Sequence, residues 1–162
     1  MIIRIRSTKG YIEIGYVFTY LISAMLLVSV IANTSNLARE ATTSSIELLL
    51  QDIANRLACK LEQAVYLASV CKNASFDLSF HFSTELAGSP PVDIKYNIKI
   101  SNTTVVITTL ETSVEAHTYN LGIELKGDIA GYIMVRESAS GSKDTIKISY
   151  EGGIISVFKA GA

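Results

Sequence analysis

Between Ile14 and Ala32 the chain reads IGYVFTYLISAMLLVSVIA, about 19 residues without one charged side chain. As a helix rising roughly 1.5 Å per residue, this run spans about 28 Å, close to the hydrocarbon thickness of a bilayer. Its polar members Thr19, Ser23 and Ser29 can return their hydroxyls to the backbone one turn earlier. A chain of 162 residues offers little surround in which such a helix could be buried on every side. The run therefore predicts a membrane-inserted helix, with a buried core helix as its rival.

The flanks give the segment a direction. Arg4, Arg6 and Lys9 precede it, and no acid stands among the first ten residues. Basic residues stay on the cytoplasmic side, so the C-terminal part is expected outside the cytoplasm, in a single-pass arrangement at the cell membrane. Without those three, 11 of the 14 basic residues face all 15 acids, a net charge of −4 past Gly10. The seven basic and ten acidic residues from Phe76 onward are interspersed, so no basic groove for nucleic acid is evident. Three N-x-[ST] sequons, at Asn33, Asn73 and Asn102, fall on the expected outer side and are candidate glycosylation sites.

A secretory signal would end in a small-residue cleavage motif after a shorter apolar stretch. Here NTSNLAREATTS follows the run, and the notable junction lies before it: Ser7-Thr8-Lys9-Gly10, then Tyr11-Ile12-Glu13-Ile14-Gly15-Tyr16. A short basic head ending Lys-Gly, followed by an apolar helix with one acid near its start, resembles the class III signal of type IV pilins and archaellins. Bacterial pilins carry glutamate at the fifth mature position, where this chain has Gly15; its acid is Glu13, at the third. Gly15-Tyr16-Val17-Phe18 is similar to the looser openings of archaeal pilin-like proteins. The resemblance implies cleavage by a prepilin peptidase between Gly10 and Tyr11, leaving the apolar helix in place. It further implies that Glu13 attracts the new terminal ammonium of a neighbouring subunit during assembly.

Past a polar break at Asn33–Asn36 the helical signal resumes. Ile46, Leu50, Ile53, Leu57, Leu61, Ala64, Ala68 and Cys71 recur at spacings of three and four, an apolar stripe on one helix face. Glu47, Asp52, Arg56, Lys60 and Glu62 fall mainly off the stripe, and no Gly or Pro interrupts Leu37–Val70. The stripe is expected to pack on the protein's own sheet, on neighbouring subunits, or on both at different levels. Cys59 and Cys71 stand twelve residues apart, about 18 Å along one unbroken helix and beyond disulfide reach. Two outcomes stay open: a disulfide if the helix ends between them, or two free thiols.

From Phe76 the apolar period changes from 3.6 to 2. Phe76–Phe82 and Val92–Ile100 alternate strictly, separated by a turn at Gly88-Ser89-Pro90-Pro91. Thr103–Thr109 reads as a hairpin partner of the second run. Further strands are expected at Ala116–Leu125, Ile129–Arg136, Asp144–Glu151 and Ile154–Lys159. Ser138–Ser142 is read as a hairpin loop, and Glu151-Gly152-Gly153 as a tight turn. The expected fold is therefore α+β. A basic leader (1–10) precedes an apolar helix (11–35), an amphipathic helix (36–72) and an antiparallel, sandwich-like or strongly curved β-domain of about seven strands (73–162).

Catalytic chemistry has little to draw on. There are two histidines and no tryptophan. No phosphate-binding loop, nucleophile elbow, zinc-binding or calcium-loop pattern occurs. His81 falls on the polar face of its strand, and Glu115 with His117 share a face without a third ligand. The expectation is a non-enzymatic protein with no cofactor and no metal.

Two functions are consistent with these features. The first is a structural cell-surface protein, a pilin-like major or minor subunit of a type IV pilus-like extracellular filament, whose partners are the membrane, prepilin peptidase and other pilin-like subunits. The second is an uncut single-pass anchor whose β-domain binds a surface-layer protein, similar to stator components of the archaellum.

Overall fold

In the computed structural model, residues 8–71 and 74–160 are described, with side chains from residue 15 onward. The fold is α+β. Helix α1 (Thr8–Val70) is followed by eight strands: β1 (Phe76–Ser83), β2 (Glu85–Ala87), β3 (Val92–Ile100), β4 (Thr104–Thr108), β5 (Ser113–His117), β6 (Glu124–Arg136), β7 (Lys143–Glu151) and β8 (Ile154–Lys159). The chain divides into two compact units, one ending at Glu40 and one running from Ala41 to the C-terminus. The amphipathic helix and the strands thus form one unit rather than two segments.

The expected break at Asn33–Asn36 is absent, because α1 is continuous there. Asn and Ser lower helix propensity by well under about 1 kcal/mol each, too little to stop a helix with no Gly or Pro. Thr34 keeps its hydroxyl within the helix, donating to the carbonyls of Val30 and Ile31 at 3.0 Å each.

All strands belong to one hydrogen-bonded sheet in the order β1-β7-β8-β6-β3-β4-β5, with β2 added alongside β6. Most neighbours are antiparallel, but β6 pairs parallel with both β8 and β2. Ser138–Ser142 is not a hairpin loop: it joins β6 to β7, and β8 lies between those two strands. The C-terminal pair β7–β8 is a hairpin, turning through Gly152 and Gly153 at φ of 60° and 90°, the left-handed region that favours glycine.

The strand expected at Ala116–Leu125 is two strands with a loop between them. β5 stops at His117 and β6 starts at Glu124. Asn120 organises the loop, donating from Nδ2 to the carbonyls of Asn102 and Ile123 at 2.9 and 2.7 Å. Its Oδ1 accepts from Ile123 N–H at 3.0 Å. Such side-chain bonding offers the backbone an alternative to the ladder, and an alternating pattern does not register it. The three-residue β2 was also missed, being too short to show a period.

The core follows the two periodicities. Ile46, Leu50, Ile53, Leu57, Leu61, Ala64 and Ala68 are buried as the stripe requires, and Ala54, Ala58 and Val65 widen it. Cys71 is not part of the stripe; it is exposed. Strand residues at spacing two complete a single cluster, among them Phe80, Ile98, Ile107, Ile133, Ile148 and Ile155. Strands from opposite ends of the sheet both meet the helix. The Arg56 guanidinium stands 5.9 Å over the Phe80 ring of β1, and Gln51 Nε2 donates to the Glu115 carbonyl of β5 at 3.5 Å. The sheet therefore curls around the helix.

Gly127 and Gly131 of β6 both lack room for a side chain, and Gly131 is the tighter. Among the described strands, Asp128–Ile133 of β6 has no partner on the side where β8 and β2 pair. The Tyr96 ring lies against Gly131 there, and a Cβ at Gly131 would overlap the phenol. The Tyr96 hydroxyl donates to Asp144 Oδ2 at 2.9 Å, and Lys159 Nζ donates to the same oxygen at 2.7 Å. Phe82 packs edge-on against Tyr96, with ring centroids 6.1 Å apart.

Candidate functional site

The feature with most functional content is the apolar part of α1. Gly15–Ile31 forms regular helix with every residue exposed. Phe18 is 62% accessible, Leu26 62% and Ile31 58%. Apolar side chains cover all sides of this segment, which is what a helix shows when its surround is apolar. Backbone groups are satisfied within the helix, and Thr19 donates its hydroxyl to the Gly15 carbonyl at 2.9 Å. The helix is long and apolar enough to cross a membrane. Tyr16 and Tyr20, one turn apart, line a shallow apolar groove with Val17 and Leu21. Aromatic hydroxyls near a helix end suit the boundary between hydrocarbon and water.

Gly10, Tyr11 and Glu13, expected from the sequence to serve processing and assembly, belong to α1, and their side chains lie outside the described residues. Of the three sequons, Asn33 is exposed on α1 and Asn102 is exposed in the β3–β4 turn; Asn73 lies outside the described residues. Asn102 also has a structural task, since its Oδ1 accepts from Leu125 N–H at 3.0 Å and pins the start of β6.

Of the two outcomes left open for the cysteines, the structure has the free thiols. Both are exposed and unbonded, and α1 runs without interruption from Cys59 to Val70. That helix holds them about 18 Å apart, so an intramolecular disulfide does not form.

The polar side chains of the sheet unit make local contacts. His81 is exposed and its Nδ1 lies 2.8 Å from Thr145 Oγ1. Glu115 and His117 are exposed on β5, and the described residues contain no group of three or more His, Cys, Asp or Glu side chains placed to hold a metal. Sequence reasoning missed Glu85, whose Oε2 accepts from Ser140 Oγ at 2.7 Å, Ser140 N–H at 2.6 Å and Ser142 N–H at 3.3 Å. The Ser140 hydroxyl first, then the Ser142 N–H, hold its carboxyl below the usual range. Burial first, then Asp144, pushes the Tyr96 phenol well above its ordinary value.

Comparison with known proteins returns no matching family model, no matching curated protein and no matching solved structure.

Proposed function

We propose that this protein is a structural, membrane-anchored cell-surface subunit that assembles into a pilin-like filament through its N-terminal helix. The sheet unit faces outward from the cell. The observation that carries the reading is the helix segment Gly15–Ile31, apolar and exposed on all sides. Such a surface is stable in lipid before assembly and against other copies of the same helix afterwards. The Lys9-Gly10-Tyr11 junction supports cleavage after Gly10, which frees an ammonium at Tyr11. In the assembled state that ammonium pairs with Glu13 of a neighbouring subunit, offsetting the cost of a carboxylate near the membrane.

Intact mass of the protein from its native membrane, with electron microscopy of the cell surface, tests the proposal. A chain beginning at Tyr11 and surface filaments lost on Gly10→Val are the expected results. A chain still beginning at Met1 overturns the processing step.

A second reading draws on the start of α1 at Thr8. The Gly10–Tyr11 bond then lies in the first turn of the helix, and leader and apolar segment are one element. On this reading the chain is an uncut single-pass anchor whose sheet unit binds a surface-layer protein. Membranes carrying the uncut chain, with that protein retained on pull-down, would select it.

A further inference from the structure

One motif of the sheet unit is left over once the helix is accounted for, the sequon Asn102-Thr103-Thr104 at the tip of the β3–β4 hairpin. The hairpin closes between Ser101 and Thr104, whose N–H and carbonyl groups exchange bonds at 2.9 and 3.4 Å. Asn102 and Thr103 lie between them, and both are exposed. A surface turn of this kind is where an N-x-[ST] acceptor has to stand.

The orientation of the Asn102 amide is fixed by its neighbour. Leu125 N–H, at the start of β6, can only donate, so the atom that faces it at 3.0 Å is the oxygen Oδ1. The amide is planar, and Nδ2 therefore points elsewhere. It has no hydrogen-bond partner among the described residues. The turn itself is held by a second bond, since the Asn102 backbone carbonyl accepts from Asn120 Nδ2 at 2.9 Å. One half of the amide is committed to the fold and the other half is spare. A sugar on Nδ2 leaves the Oδ1 lone pairs in place to keep the Leu125 bond, so modification and structure do not compete.

The other two sequons lack this arrangement. Asn33 lies within the continuous helix α1, one residue past the apolar run that ends at Ala32, and not on a turn. Asn73 lies outside the described residues.

We propose that Asn102 carries an N-linked glycan, transferred from a polyprenyl-phosphate-linked oligosaccharide. The bond between sugar C1 and the phosphate oxygen breaks, and C1 bonds to Nδ2. Nδ2 gives one proton to a base of the transferase, and the polyprenyl phosphate leaves with the electron pair. The glycan stands where the β3–β4 turn is tied to the β5–β6 loop and to the start of β6. The proposal rests on the outward placement of the sheet unit in the reading above, and not on filament assembly.

Peptide mass supplies the test. Trypsin cuts after Lys99 and Lys126 and releases Ile100–Lys126, which contains Asn102 and neither of the other sequons. From protein taken out of its native membrane, that peptide should be heavier than its sequence by whole sugar residues. Asn102→Asp keeps an oxygen for Leu125 N–H and removes the amide nitrogen. Thr104→Val removes the hydroxyl that the transferase reads and keeps a β-branched residue at the start of β4. Both should lose the sugar completely, whereas Thr104→Ser, which preserves the sequon, should keep it. The wild-type peptide carries the test even if a variant fails to fold. Protease added to intact cells reports the side on which the sheet unit stands. A sheet unit cut from outside, with Ile100–Lys126 at its bare sequence mass, overturns the glycan and leaves the outward placement intact. Sugar that survives Asn102→Asp also overturns it. A sheet unit protected from the protease, with the peptide bare, overturns both.

Discussion

Tyr16–Ile31 and Ile46–Ala68 share one helical backbone and a high apolar content, yet their side chains end in opposite environments. In the first stretch every residue is exposed. In the second, an apolar stripe is buried under the curled sheet. The charges explain the contrast. No charged side chain stands between Ile14 and Ala38, whereas Glu47, Asp52, Arg56, Lys60 and Glu62 mark a solvent face later on. A helix satisfies its own backbone whatever surrounds it. What covers its side chains is a separate question, answered within the chain for the second stretch and not within it for the first.

The contrast is broken most severely by removing the first stretch. A chain of residues 41–162 retains every residue of the hydrophobic cluster. It should leave the membrane fraction entirely and still unfold in one cooperative transition, read by fractionation and thermal circular dichroism. A product that stays with membranes would show that the sheet unit has its own membrane contact.

Next in size are paired truncations on the two stretches. Leu57→Ala and Leu61→Ala remove fully buried side chains and should each cost about 2–5 kcal/mol in denaturant titration. Leu27→Ala, 63% accessible in the wild type, should stay within about 0.5 kcal/mol. Equal losses would mean that both stretches are covered by the fold.

Gly131→Ala sharpens the picture of the sheet. The added methyl meets the Tyr96 phenol, and overpacking of this kind costs about 1–3 kcal/mol. The Tyr96 phenol is held above its ordinary value of 10.0. The unfolded chain therefore ionises first, and stability should fall as pH rises beyond about 10. Thermal midpoints of wild type and Tyr96→Phe should converge there.

The smallest effect belongs to Glu85→Gln. Its carboxyl is held below the usual 4.5, so its contribution is present above that value and lost as pH falls through the folded one. The midpoint difference between wild type and variant should be visible at neutral pH and vanish in acid.

Much of this fold was legible because periodicity reports burial. Phe76–Phe82, Val92–Ile100 and Ile154–Lys159 alternate and are strands, and the stripe from Ile46 to Ala68 is the buried helix face. Strand order was not legible, since alternation says which face is buried and nothing about which neighbour is paired. The β5–β6 boundary was hidden because Asn120 closes a loop through its own amide, inside a run that still looks β-forming. Glu85 and Asp144 were invisible for a related reason. Their partners at Ser140, Tyr96 and Lys159 are distant in sequence, and a carboxylate on a strand otherwise reads as solvent-facing. In the candidate site, the apolar character of Gly15–Ile31 was plain from composition.

The position of β8 governs when this unit can become complete. The last of the described strands lies inside the sheet, between β7 and β6. A ribosome must release residues 154–159 before β7 can be bridged to the Glu124–Gly127 end of β6. Until then the slot between β7 and that end of β6 stands vacant, and β2 on Met134–Arg136 is the strand pairing that links the two halves. Quality control acting on unfinished chains has a clear target in that slot, and a premature stop before Ile154 should open the middle of the sheet rather than merely shorten its edge.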